Sequence, residues 1–572
     1  MRFPAQPFRF PGQPFRFPAQ PFRFPAHPAG KHGRWGNPGY HGAMSARLLL
    51  VLVFVLAPWF ALAAADDGWK KVPQELVFIN ESEPQTIDPG LMTGLLEARL
   101  GGALFEGLCR LHPKTLEPLP GVAERWTVAD GVTYTFHLRA DAAWSDGKPV
   151  VAQDFVASWK RVLTPATGSE YASQLYAIAG AEAFHKGTST DWATVGVSAT
   201  DDRTLTVRLH RPCPWFLSLC AFQTLFPVRV DLIALHGDRW TRAGNIISNG
   251  PFRLVAWEPR VSIIMVRNEH YWDRAAVRLT KVTALPTDDL DTAWRLYQQG
   301  GIHWLPGVPL ARFEQISRHP DFSASPSLGA YFYRFNCTKP PFDDARVRRA
   351  FSLAIDRAAI TKFVTKFGEI PNAGLIPKMP GYDPPTFPLT DRAAARRQLA
   401  AAGYATPDAA GKPFPPIDIL FNTSENHKAI AEAIAAQWKD ALGATVTARS
   451  SEWKVYLDAQ TTLSYQVCRA AWYADYADPN TFIDMWATGN GNNRTGWGSP
   501  EYDRLVNASQ RATDPVERSK LIQRMETMLV AEECPIAPIY SYVSKSLRKE
   551  SLAGFYDNPL DQHPLRDLWI EP

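Results

Sequence analysis

Cysteine is scarce, with six in 572 residues, which excludes a small disulfide-held scaffold. Charge of one sign is also missing. Lys+Arg number 61 and Asp+Glu 57, so no global basic field points to nucleic acid. Long apolar runs are absent. Leu48 to Leu56 is an unbroken apolar stretch, but a membrane span needs ~20 residues, and no later segment is long enough to cross. The motifs of common catalysts are missing too: there is no His-Glu-x-x-His, Gly-x-Ser-x-Gly, P-loop, EF-hand loop or Cys-x-x-Cys. Gly489-Asn490-Gly491 lacks the spacing of a dinucleotide loop, and histidines never sit at metal spacing. Neither a cofactor nor a metal is therefore expected. A hydrolase assembled from distant residues stays open as a weaker alternative.

What is present in excess is proline and tryptophan, 48 and 19, with 12% aromatic residues. The length is too great for one ordinary core and fits two or three lobes.

The amino-terminal region divides in two. Residues 2–28 repeat with period seven from Arg2, Arg9, Arg16 and Arg23. Proline at every third or fourth position blocks helix and central strand alike, so 1–43 reads as low-complexity extended chain that need not be translated, since Met44 begins a better start. Residues 44–65 read as a secretory signal: Arg47, the apolar run, then Ala61-Leu62-Ala63 and Ala63-Ala64-Ala65 as small-x-small cleavage sites. No cysteine marks a lipid anchor there. The expectation is an exported, soluble mature chain. Residues 1–65 hold seven basic and no acidic residues, leaving 54 basic against 57 acidic beyond them, so the apparent basicity belongs to the leader. Export permits disulfides. Cys213 and Cys220 are close enough in sequence to close a small loop, and buried thiols are the equal alternative.

Beyond the leader the pattern is mixed α/β. Strands are expected at Gln74–Asn80, Thr133–Arg139, around Leu205–Leu209 and at Ser262–Val266. Helices are expected at Gln153–Leu163, after Asp343-Asp344, at His427–Leu442 and at Val516–Ala531. Their interleaving suggests lobes that share strands.

One segment is chemically organised: Arg469-Ala-Ala-Trp472-Tyr473-Ala-Asp475-Tyr476-Ala-Asp478-Pro479. An arginine and a carboxylate bracket aromatic rings. A zwitterion site needs those parts: an anion for an ammonium, a cation for a carboxylate, and rings to exclude water. The alternative is that Arg469 and Asp475 pair with each other or with scaffold charges.

Several stretches resemble the extracellular solute-binding proteins, family 5, that serve peptide ABC transporters, in their oligopeptide-binding branch. The residues that carry the likeness are Leu104-Phe-Glu-Gly-Leu108, Trp144-Ser-Asp-Gly-Lys-Pro149 with Asp154-Phe155 and Ser158-Trp159-Lys160-Arg161, Ser248-Asn-Gly-Pro-Phe252, Arg267-Asn268 with Tyr271-Trp272, Lys339-Pro-Pro-Phe342 with Val347-Arg348, and Glu452-Trp453-Lys454 through Trp472 and Tyr476. They occur in the family's order from about residue 75 to 570. The resemblance implies an α/β, periplasmic-binding-protein-like fold (type II, cluster C-like), with two hinged lobes and an additional packed lobe. Its implied boundaries are 66–105, 231–328 and 543–572 for lobe I, 106–230 for the additional lobe II, and 329–542 for lobe III.

It also implies function. Short peptides would lie extended in an interlobe cleft and be delivered to an inner-membrane ABC permease by a periplasmic monomer that is not an enzyme and binds no nucleic acid. The same fold with another solute (murein peptide, oligosaccharide or nickel chelate) is the alternative. By position, Asp475 would take the peptide's α-ammonium. Trp472 and Trp453 would wall side-chain pockets, with Tyr473 beside them and Tyr171 reaching in from the smaller lobe. Asn249 would sit near hinge and cleft. Arg469 and His427 would face the peptide's carboxyl-terminal half, and main chain near Thr93, Leu95 and Ala471 would form a ladder. Trp453 and Trp472 as core aromatics, His427 as a capped surface residue and Arg469 as a structural cation are the plainer alternatives. The chain departs from the family in places. Thr93 stands where a glutamate is common, Gln460 replaces a second cleft arginine, and Arg334 replaces an acidic residue. Gly329 and Tyr473 occupy positions that pair as cysteines in relatives. The residue that pins the peptide carboxylate is thereby left open.

Overall fold

The computed structural model describes Asp67 to Pro572. The repeat at 1–43 and the signal at 44–65 lie outside the described residues.

An eleven-stranded sheet organises the chain. Its strands run in the order Val446–Ser451, Ile417–Asn422, Val467–Tyr473, Phe322–Phe335, Ile536–Arg548, Trp304–Leu305, Glu75–Ile79, Lys281–Leu285, Ser262–Arg267 and Phe252–Glu258, with Ile370–Pro371 branching onto Ile536–Arg548. Two strands are long enough to run through both halves, Phe322–Phe335 and Ile536–Arg548. They pair antiparallel from Phe322↔Leu547 to Pro326↔Val543, lose register, and resume from Ala330↔Ser541 to Arg334↔Ile536. The first half of the sheet is covered by the helix Leu95–Leu104 and a core around Leu76, Phe78, Met265 and Trp304. The second half is covered by the helices Ala345–Leu353 and Glu425–Leu442, over a core around Tyr333, Phe351 and Trp438. A separate four-stranded antiparallel sheet, Ala123–Ala129, Thr133–Leu138, Thr204–Arg208 and Val197–Asp201, packs on the helix Ala152–Leu163 around its own core of Phe136, Phe155, Trp159 and Leu205.

Local chemistry fixes these elements. Thr133–Leu138 buries Tyr134, Phe136 and Leu138 on one face, the period-two pattern of a half-buried strand. Asp344 caps Ala345–Leu353 by accepting from Arg346 N, and Ser424 caps Glu425–Leu442 by accepting from His427 N, each worth ~1 kcal/mol. Gly443, at φ +71°, closes the long helix in the left-handed conformation that glycine adopts without strain. Cys213 and Cys220 are free and buried in the core of the small sheet. They pack there as small apolar side chains, so the short disulfide loop does not form.

Candidate functional site

A cavity of about 340 Å³ lies between the two halves of the large sheet and the small-sheet body, inside the roughly 300–1,000 Å³ range of ligand sites. Eleven of the twelve residues singled out from the sequence line it: Thr93, Leu95, Tyr171, Arg334, His427, Trp453, Arg469, Ala471, Trp472, Tyr473 and Asp475. The exception is Asn249. It is 2% exposed, donates Nδ2 to the Glu106 carbonyl at 2.9 Å and accepts from Glu106 N at 3.1 Å. Both bonds tie its loop to the backbone of Glu106, and Asn249 acts there as a structural clamp outside the cavity wall.

Asp475 follows the strand Val467–Tyr473 and is 7% exposed. Gln174 Nε2 donates to Oδ2 at 3.0 Å, Tyr171 Oη to Oδ1 at 3.3 Å and Thr481 Oγ1 to Oδ2 at 3.4 Å. All three donors are neutral. Burial, and then the nearby negative charge of Asp484, hold the Asp475 carboxyl well above the ordinary carboxylate range. Asp484 is itself pushed up to about 7, chiefly by burial. Asp475 lines the cavity and Asp484, which does not, lies close behind it; an entering cation favours the ionised form of Asp475.

Arg469 lies on the same strand and does not pair with Asp475. Its Nη1 donates to Asn422 Oδ1 at 3.2 Å and its Nη2 to Tyr542 Oη at 2.8 Å, the guanidinium sits 4.8 Å from the Tyr331 ring, and Nε has no partner. The two opposite charges are held apart, each by neutral groups. His427, whose Nδ1 is 3.3 Å from Tyr331 Oη, is driven well below its ordinary value by burial and then by the charges of Arg469 and Lys545. Its imidazole is neutral at pH 7, able to donate or accept a hydrogen bond near Arg469 without adding charge.

Aromatic walls complete the site. Trp472 is 7% exposed, donates to Thr481 Oγ1 at 3.3 Å, and lies 6.0 Å from the Tyr171 ring. Trp453 stacks on Tyr456 at 5.5 Å and donates to Glu97 Oε1 at 2.9 Å. Glu97, in the first turn of the helix Leu95–Leu104, is buried behind the cavity wall and holds Trp453 in place there. Tyr473 is the cross-strand partner of Gly329. Its ring lies where a Gly329 Cβ would project, 2.9 Å away, and stacks on Tyr542 at 4.8 Å. An aromatic ring over glycine fills the space between two strands at this point.

The strand Val467–Tyr473 pairs along its whole length with Phe322–Phe335. On its other side it pairs only at Val467 and Cys468. Residues 469–473 thus keep one edge without a strand partner among the described residues, beside the cavity. Such an edge can take an added extended chain.

The sequence reading missed Gln174, Thr481, Asn422, Tyr542 and Glu97. Only Glu97 carried a local signal, as an acid among the buried apolar residues Leu96, Leu100 and Leu104 of one helix. The others converge from distant segments.

The model of the bacterial extracellular solute-binding proteins, family 5 Middle, matches residues 117–494. The periplasmic oligopeptide-binding protein OppA of Salmonella typhimurium is 36% identical over 517 residues, spanning 87% of this chain and 92% of that one. The Escherichia coli murein tripeptide binding protein MppA superposes with a TM-score of 0.84 at 36% identity, over 87% of this chain and 99% of the other. Haemophilus influenzae OppA in complex with RPPGFSPFR gives 0.83 at 32% identity, over 87% and 99%. MppA in an unliganded open form gives only 0.59, over 87% and 97%. The α/β, periplasmic-binding-protein-like fold expected from the sequence is the fold these structures share. The chain belongs to the bacterial extracellular solute-binding proteins of family 5.

Proposed function

We propose that this protein captures short peptides in the cavity between its lobes and delivers them to an ABC transporter permease. The observation that carries the reading is Asp475: a buried carboxylate facing the cavity, held by three neutral donors, with a second acid behind it. An α-ammonium is the group that fits. Arg469, held by Asn422 and Tyr542, offers a matching place for the peptide carboxylate. The open edge at 469–473 supplies main-chain groups for an extended ligand. Recognition of termini and backbone, with side chains in wider space, suits a carrier of many peptides.

On this reading lobe I comprises 66–105, 231–328 and 543–572, lobe II 106–230 and lobe III 329–542, with the break in pairing between Pro326 and Ala330 serving as the hinge. The protein acts as a monomer without catalysis. It is exported by the 44–65 signal to the periplasm, the compartment of the Salmonella relative.

The direct test compares free and N-acetylated versions of the same peptide by calorimetry. Acetylation removes the positive charge and should weaken binding more than tenfold. Equal affinity removes the ammonium from the site. Peptides returned intact after incubation, read by mass spectrometry, separate a carrier from a hydrolase.

A further inference from the structure

Buried arginines away from the cavity have their charge or their donors matched. Arg229 is paired with Asp146 and Asp231. Arg566 is paired with Asp273 and Glu106. Arg357 spends its guanidinium on the carbonyls of Pro538, Ser352, Ile355 and Leu389. Arg334 is different. It is 3% exposed, lies on Phe322–Phe335 in register with Cys468, and lines the cavity. Its Nη1 donates to Gln460 Oε1 and its Nη2 to the Asn492 carbonyl at 3.0 Å, and its Nε has no partner. The rings of Phe332 and Trp486 lie 5.7 and 5.8 Å from it. The groups that act on it most strongly through charge are Tyr465, Tyr456, Cys468 and Tyr171, all neutral at pH 7 because burial raises each of them.

An unmatched cation in a closed cavity is costly unless a ligand brings the counter-charge. A peptide has one α-ammonium for Asp475 and one α-carboxylate for Arg469, so Arg334 is left over. Tyr171 neighbours Arg334 and also donates to Asp475, which puts Arg334 near the amino end of the guest.

We propose that Arg334 makes this protein select peptides that carry an aspartate or glutamate side chain within their first three residues, the side-chain carboxylate supplying the counter-charge to the Arg334 guanidinium. This rests on the reading that Asp475 holds the peptide ammonium. It adds a side-chain preference to a site otherwise built for termini and backbone. Arginine is suited to the task because its planar donors match a carboxylate.

The test is calorimetry on tetra-alanine with free termini, with Glu or Gln placed in turn at positions one, two and three, against the full chain. Glu should bind at least tenfold tighter than Gln at one of these positions. In R334Q that ratio should collapse towards one, and R334K should keep part of it. A ratio near one at all three positions in the unaltered protein overturns the proposal, and this arm needs no variant to fold. So does a ratio that survives in R334Q. If Glu and Gln bind alike and R334Q instead abolishes discrimination against C-terminally amidated peptide, Arg334 holds the terminal carboxylate and the side-chain assignment is overturned. In these outcomes peptides still bind, and the reading of the site stands. If no peptide binds, that reading falls and this inference with it.

Discussion

At the scale of single residues, the site is a set of charges held by neutral groups. Asp475 has amide and hydroxyl donors only, and Arg469 an amide and a phenol. Hydrogen bonds to charged groups contribute roughly 1.5–3 kcal/mol each, so each charge can be kept in place yet remain available. Asp475→Ala removes the anion and leaves the peptide ammonium uncompensated in a closed cleft. We expect binding to weaken more than tenfold, and unchanged affinity by calorimetry would refute the role. The sign of the pH dependence follows. In the ligand-free cleft the Asp475 carboxyl lies above its ordinary value of 3.8, mainly through burial. An ammonium opposite it favours the ionised form and lowers it again. Peptide binding should therefore release a proton at pH values between the lowered, peptide-bound value and the raised, ligand-free one, and affinity should decline as pH falls through that window. Calorimetry in buffers of different ionisation enthalpy, from pH 8 to 5, reads this release. D475A should lose it.

At the scale of elements, the sequence exposed the half-buried strands and the capped helices and concealed the central sheet. Thr133–Leu138 and Ser262–Arg267 alternate in burial, and Ala345–Leu353 begins at an aspartate, so period and cap were legible. Phe322–Phe335 is buried continuously from Ser327 onward and contains Pro326 and Gly329. A strand covered on both faces has no period of two to read. Val467–Tyr473 was legible as chemistry but not as a strand for the same reason. The site shows the same division. Residues within one motif, such as Arg469, Trp472 and Asp475, could be singled out, and the resemblance placed Tyr171 and His427. Gln174 and Thr481 reach Asp475 only after folding. One further element-scale contact bears on ligand retention. Asn426, in the first turn of Glu425–Leu442, donates Nδ2 to the Val308 carbonyl at 3.0 Å and accepts from Leu310 N at 3.0 Å. All three residues line the cavity, so this pair of bonds joins its two sides. Two half-exposed bonds of this kind should together contribute about 1 kcal/mol. Asn426→Ala should speed peptide dissociation about fivefold and leave association within twofold, because peptide enters before the bonds form. Stopped-flow kinetics with a fluorescent peptide checks both rates. A change confined to association would count against the latch.

At the scale of the whole molecule, closure is a contest between contacts and buried charge. Direct bonds cross the cavity in this structure: Trp453 to Glu97, Asn426 to Val308, and Tyr171 and Gln174 to Asp475. The rings of Trp215 and Tyr476 stack at 5.5 Å between the small-sheet body and the segment carrying Asp475. Against these stand the cations Arg469 and Arg334, neither of which has an oppositely charged side chain among its hydrogen-bond partners. Taking an ion out of water costs several kcal/mol even after relaxation. Opening returns both to water, so the empty protein should favour the open arrangement. A peptide reverses the balance: Asp475 and Arg469 both belong to lobe III and pair with its termini there, and closure then brings Tyr171 and Gln174 from lobe II onto Asp475 and buries charges that are already matched. Moving the population from 1:99 to 99:1 requires about 10⁴-fold preference for the closed form, about 5.5 kcal/mol. Two desolvated charge pairs and a backbone ladder are of that order. Small-angle scattering should show the ligand-free protein with the larger radius of gyration and a compaction on saturation with peptide. In D475A the compaction should require far more peptide. If calorimetry demonstrates saturation while the radius stays fixed, closure is not coupled to these charges, and the hinge between Pro326 and Ala330 is not the moving part.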